Sequence, residues 1–310
     1  MTASLAPPRK RQLHAPKFIL AGPAIVWWVL FFIAPIVFVI YYSFGTKDTT
    51  KLLPVNMSSP SLHNYHQAFS STFFTTFKAT LKIAITATVL TTVIGFPVAY
   101  FLAFKVKEKW RAILLALIIV PSFTSFLIRT LAWRIPLAPN GQFSTWLQDW
   151  GLIHGPISIL ETRTAVQIAI VYNYLGFMIL PLFVALDRIE GVLREASKDL
   201  GAGRIATFAQ VTLPLAGPGI AAGVLLTFIP MCGDYVTATV LGGAKGNMIG
   251  AMIDQQFRGA QDWPLGSAIA VLMILAVLLI LGIGVGLVMG VQYVLKRRRR
   301  VTIAQLEALT

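Results

Sequence analysis

The side chains able to do chemistry are few, and their spacing excludes most enzyme classes. His63 and His66 stand three apart in a polar segment with no carboxylate placed beside them, and His14 and His154 lie far from both. That is not a metal-ligand pattern. No Ser/His/Asp set can be assembled into one site, and Cys232, the single cysteine, cannot form an internal disulfide. A Gly-x-x-x-x-Gly-Lys-Ser/Thr phosphate loop is absent as well. A chain of this kind is read as no enzyme, with no catalytic residue, no metal and no cofactor of its own.

The dense polar segment is Glu190 to Pro214. Glu190 through Leu200 is rich in helix formers, with Gly191 the one breaker, and Gly201 with Gly203 then permits a sharp turn. Arg204 to Gln210 can form a second short helix before Pro214, which suits the start of a longer one. Glu195 and Asp199 share one helical face, and Arg194 and Lys198 share another. A rigid charged knob of this kind transmits force only if another protein grips it. An amphipathic elbow that only connects two helices is the competing reading.

The elements that must hold this knob are membrane spans. Of 310 residues, 56% are hydrophobic and 12% charged, about half the charged share usual in soluble domains. Crossing a bilayer takes roughly 20 helical residues. Runs of that length lie near 19–42, 74–104, 112–133, 164–186, 213–234 and 265–295, predicting an all-α polytopic membrane protein with six transmembrane helices. The apolar run starting at Phe18 is too long for a signal peptide and contains Pro23 and Pro35, so it reads as a retained first span. The predicted organisation is a basic N-terminal tail at 1–17, a six-span domain at 18–295 carrying the loop 190–212, and a basic C-terminal tail at 296–310.

The net charge of +14 is distributed beside the spans instead of over a polar domain that could present it to nucleic acid. Arg9 to Lys17, Lys105 to Arg111, Arg188 to Arg204 and Lys296 to Arg300 fall on one side, and the longer opposite loops hold far fewer basic residues. By the positive-inside rule both termini and the 190–212 loop are cytoplasmic. The Lys296 to Arg300 cluster reads as an anchor against anionic lipid.

The loop also resembles a known family. Glu195-Ala196-Ser197, three residues, Gly201, nine residues, Val211, one residue and Leu213-Pro214 is similar to the signature of ATP-binding-cassette importer permeases of the binding-protein-dependent kind. That signature runs Glu-Ala-Ala, three residues, Gly, nine residues, Ile, one residue, Leu-Pro, so Ser197 and Val211 are its two departures here. Asn64-Tyr65, Gly95 to Tyr100, Pro121 to Trp133, Pro139-Asn140-Gly141, Gly233 to Val236 and Asp262 to Ala268 resemble the spermidine/putrescine subgroup, and within it the first of the two paired permeases.

The resemblance implies a type I importer (MetI-like) architecture in a bacterial cytoplasmic (inner) membrane. It implies a second homologous permease, two ATPase subunits holding ATP and Mg2+, and an external or periplasmic solute-binding protein. Glu195, Ala196, Ser197, Asp199, Gly201, Leu213 and Pro214 would belong to the ATPase-coupling loop, with small Ala196 and Ser197 permitting close approach to the ATPase. A polyamine crosses as a multiply charged cation, so its path needs acceptors and aromatic faces; Asp234 with Tyr235 is the leading set, and Tyr172, Asn173 and Tyr174 form the next. Residues two apart diverge on a helix, so Tyr172 and Tyr174 cannot face one lumen. Arg129 would repel such a cargo. The same architecture serving another small solute, and a secondary transporter working alone, remain the alternatives.

Overall fold

The computed structural model describes residues 17–50, 53–69 and 71–307, with side chains over 22–50, 53–69 and 72–286. The expected basic tail at 1–17 therefore lies outside the described residues except for Lys17, which opens the first helix. Helices dominate: α1 (Lys17–Trp28), α2 (Ala34–Tyr42), α3 (His63–Ala68), α4 (Ser71–Phe104), α5 (Glu108–Ile119), α6 (Phe126–Ala132), α7 (Arg134–Leu137) and α8 (Gln142–Asp149) come first. Then follow α9 (Arg163–Asp187), α10 (Gly191–Asp199), α11 (Arg204–Thr207), α12 (Leu213–Cys232), α13 (Tyr235–Thr237), α14 (Ile249–Asp254) and α15 (Trp263–Glu307). A two-residue antiparallel ladder, β1 (Thr46–Lys47) with β2 (Val55–Asn56), lies in the segment between α2 and α3.

Five helical stretches are long and apolar enough to cross a membrane: Gly22–Tyr42, Thr72–Phe104, Arg163–Asp187, Arg204–Cys232 and Trp263–Gly286. The third expected span differs. Glu108–Phe123 and Phe126–Asp149 pass the same test only as a pair bent by 92°. The helix tightens into a 3-10 turn at Val120–Phe123, where Pro121 removes a donor, and the backbone of Thr124 is extended before α6 begins. Residues 108–123 by themselves reach about 24 Å, short of a bilayer core of about 30 Å.

Two prolines leave the same mark. A five-residue π-helical segment, Val29–Ile33, precedes Pro35, and another, Phe208–Thr212, precedes Pro214. Proline's ring collides with the carbonyl four residues earlier in a regular α-helix, and a widened turn relieves the collision without breaking the rod. Arg204–Cys232 is consequently one continuous helix. The separate second short helix expected at 204–210 is corrected on this point: those residues are the first turns of the fifth span.

The core lies where α9 packs between α4 and α12. Gly219 and Gly223 on α12 let it approach α9 closely. A β-carbon at Gly219 would collide with the Ala185 side chain, and one at Gly223 would sit 2.6 Å from the Met178 sulfur. Small residues at a helix interface supply this kind of contact in lipid, where the hydrophobic effect does not drive helices together. Lower down, Ala99, Leu102, Leu182 and Leu186 bury the α4–α9 seam. The first span has no buried residue over Gly22–Tyr42 and touches the body mainly through α2 against α15. Trp27, Trp28, Phe31 and Phe32 are all exposed on it. Helix α15 runs without interruption from Trp263 to Glu307, so no structural break marks the expected tail boundary at 296.

Candidate functional site

The 190–212 loop folds as a helix, a turn and a helix. Helix α10 begins after an extended Glu190 and ends at Leu200, and Gly201 then takes φ +83°, the left-handed conformation that glycine alone adopts freely. The turn closes with Gly201 N–H donating to the Lys198 carbonyl at 2.8 Å and Ala202 N–H to the Ser197 carbonyl at 3.1 Å. Glu195, Ala196, Asp199 and Gly201 all face outward, and so do Val192, Leu193 and Leu200. Leu200 is 89% exposed and Ile205 85%, bare apolar side chains at the tip of a charged knob. Leu213 and Pro214 sit on the surface of the fifth span immediately after its π-helical segment.

Only two residues of α10 turn inward, Arg194 and Ser197, one helical turn apart. The Ser197 hydroxyl lies 3.1 Å from that of Thr207, tying α10 to α11. Ser197 thus faces the body of the loop, away from the surface that Ala196 presents. Arg194 reaches the end of α4. Its guanidinium carbon lies 3.9 Å from the Phe104 ring centroid and 5.9 Å from that of Tyr100, and its Nη2 donates to the Tyr100 hydroxyl at 3.4 Å. Phe208, at the start of the π-helical segment, meets Tyr100 edge-on at 6.1 Å and Phe96 at 5.6 Å. Sequence reasoning placed Arg194 on one helical face with Lys198 and assigned it no partner within the chain. The signal it passed over was the aromatic pair Tyr100 and Phe104, four apart at the end of a span.

The expected path residues divide into two groups. Asn173 and Tyr174 are buried in the middle of α9, and Asp234 is buried between α12 and α13. Asn173 Nδ2 donates to the Thr130 hydroxyl at 3.0 Å, and Tyr174 packs against Phe126 at 5.9 Å. Asp234 caps α13: one carboxylate oxygen accepts the Thr237 N–H at 2.9 Å, the other the Thr237 hydroxyl at 2.6 Å. Tyr172 points elsewhere, half exposed and edge-on to Trp133 at 5.4 Å, as divergence of residues two apart requires. Tyr235 is exposed beside Arg258, whose guanidinium carbon lies 5.9 Å from its ring.

Arg129 belongs with the buried group, although it carries the charge of the expected cargo. It stacks on Phe126 at 5.7 Å and donates long bonds of 3.5 Å to the carbonyls of Asn173 and Ser122, so it spans the break between α5 and α6. Among the described residues its Nε and the Asn173 Oδ1 have no partner. The hydrogen-bond partners of Arg129 are those two backbone carbonyls, and among the described residues no carboxylate pairs with it. At the opposite end, Arg111 on α5 pairs with Asp187 on α9 at 2.6 Å, joining the ends of two spans. No cluster of three His, Cys, Asp or Glu residues able to hold a metal occurs among the described residues.

This polytopic bundle of long helices with one projecting charged hairpin has an architecture shared by solved ABC importers. A bacterial ABC transporter involved in the import of the acidic polysaccharide alginate superposes with a TM-score of 0.66 at 18% identity, covering 86% of this chain and 92% of that one. The MetNI methionine ABC transporter, in an inward-facing conformation, gives 0.54 at 22% identity over 72% of this chain and 99% of that one. The chain belongs to the family of binding-protein-dependent transport system inner membrane components, which matches residues 95–301. It is a permease subunit of an ABC importer. Among its curated relatives, the spermidine/putrescine transport system permease protein PotB of Haemophilus influenzae is 36% identical over 79% of this chain and 84% of its own length. The PotB of Escherichia coli is 37% identical over 79% of this chain and 88% of its own. The inner membrane ABC transporter permease protein YdcU of Escherichia coli is 33% identical over 59% of this chain.

Proposed function

We propose that this permease imports polyamines of the spermidine/putrescine class, pairing with a second, similar permease and two ATPase subunits and receiving cargo from a solute-binding protein outside. The observation that carries the reading is the extent of similarity to PotB permeases, 36–37% identity over 79% of the chain. Both termini and the α10 hairpin lie on the cytoplasmic side, as the basic residues flanking the spans favour. There Glu195, Ala196, Asp199 and Gly201, with bare Leu200 and Ile205, form the face that an ATPase subunit covers. Ser197 supports that face from behind, and Leu213 and Pro214 connect it to the fifth span.

ATP-driven closure of the ATPases pushes the hairpin, and the continuous Arg204–Cys232 helix carries that push to the level of Asp234. Asp234 and Tyr235, with Asn173 and Tyr174, supply the acceptors and ring faces for a cation in transit, while Tyr172 faces away and packs against Trp133. A cation–aromatic contact contributes about 0.5–2 kcal/mol, strong enough to guide and weak enough to release. An importer of this architecture for another small solute is the second reading, since the same fold serves alginate and methionine systems.

The deciding experiment is reconstitution of the complete complex in proteoliposomes with its binding protein. Spermidine or putrescine loading of that protein is expected to raise ATP hydrolysis several-fold above the unloaded state and to drive uptake. Stimulation by a different solute, with none from polyamines, would transfer the assignment to the second reading.

A further inference from the structure

The inward face of α10 does more than fill space. Its two inward residues hold different elements: Ser197 binds Thr207 of α11, and Arg194 binds Tyr100 and Phe104 of α4. The main packing of α10 is against α11 and the π-helical segment after it, both part of the fifth-span rod. We propose that Arg194 is a positioning residue that couples the hairpin to the second span, so that each push on α10 moves α4 together with α12. The inference rests on the reading of α10 as the ATPase-facing element.

The chemistry of the contact suits a moving joint. A guanidinium over ring faces is attracted across the whole π surface, so it keeps its hold on Phe104 and Tyr100 through small shifts, and hairpin and helix travel together. A carboxylate partner would fix one geometry, and among the described residues Arg194 makes no ion pair. The two rings stand edge-on at 4.8 Å, four residues apart on one face of α4, forming a short track along that helix. Phe208 meets Tyr100 edge-on, so rod, track and hairpin meet at a single aromatic cluster. Downstream, α4 buries Ala99, Leu102 and Ala103 against α9, which gives its displacement a direct route into the core.

The test uses the whole complex with R194A, R194K and F104L. All three are expected to insert and to retain the ATPase subunits. Spermidine transported per ATP hydrolysed should fall roughly three- to tenfold in R194A and F104L, with a smaller loss in R194K, whose ammonium keeps the charge but not the planar stack. The double variant R194A/F104L should be no worse than R194A.

A readout independent of cargo is the distance between spin labels at Lys105→Cys and Lys198→Cys. It should be narrowly distributed with and without ATP in the otherwise unaltered complex and broad in R194A. Failure of the ATPase-facing reading would appear in the complex with Arg194 intact, as hydrolysis indifferent to loaded binding protein. Failure of the joint would appear only in the variants. An unchanged transport-to-hydrolysis ratio and a narrow distance in R194A would overturn it. So would loss of ATPase subunits from R194A alone, which makes Arg194 a docking residue, or loss of every variant from the membrane, which makes the contact one of folding.

Discussion

Asp234 combines two demands that a single substitution can separate. Its oxygens cap α13 through Thr237, and its charge lies buried beside the middle of the core helices. Asp234→Asn keeps an oxygen to accept the Thr237 N–H and removes the charge, so the protein should insert normally while spermidine uptake drops at matched membrane abundance. Unchanged affinity and rate would remove Asp234 from the path. Asp234→Ala loses the cap as well, at a further cost of about 1 kcal/mol, measurable as a lower unfolding midpoint in detergent. The carboxylate was legible in the sequence. Its commitment to Thr237 was not, because a capping bond depends on where the chain breaks, and the break between Cys232 and Tyr235 is set by packing against α9 and α14.

At the scale of elements, two glycines are required for different reasons. Gly201 has open space around its Cα but a φ of +83°, so Gly201→Val should strain the turn by about 1–2 kcal/mol without disturbing the spans. The expected outcome is normal membrane abundance with reduced solute-stimulated ATPase activity; full stimulation would show that the hairpin tolerates another turn. Gly219 has an ordinary backbone and no room. Gly219→Leu drives a side chain into Ala185 and Pro181, and overpacking of this kind costs about 1–3 kcal/mol, so the variant should lose thermal stability in detergent before it loses any coupling. Wild-type melting of that variant would mean that α9 and α12 can separate freely. The turn at Gly201 could be read from glycine spacing, whereas the need at Gly219 depends on which helix crosses it.

Over the whole molecule, the orientation that the basic residues favour can be checked because the one cysteine hardly interferes. Cys232 is buried at 1% exposure, so reagent reaching a new cysteine reports on that site alone. An impermeant maleimide applied to intact cells should label Ser158→Cys in the loop before α9, and should reach Lys198→Cys only after the membrane is opened. The reverse pattern would invert the topology. The bend in the third span bears on the same map: the apolar content of 112–133 was plain, but a 92° turn between its halves places the following segment across the bundle instead of along it.

The sequence by itself determined the class of this protein. Apolar runs of bilayer length, basic residues gathered beside them, and a strict spacing from Glu195 to Pro214 are local patterns, and local patterns survive translation into structure because lipid leaves the backbone few choices. Only the tertiary structure decided which side of each element does the work. Whether Ser197 looks at a partner or at Thr207, whether Arg194 meets water or Phe104, and whether Pro214 starts a helix or sits within one already running depend on contacts between residues distant in the chain. Such contacts are settled by how helices pack against one another, and no spacing within a single helix encodes them.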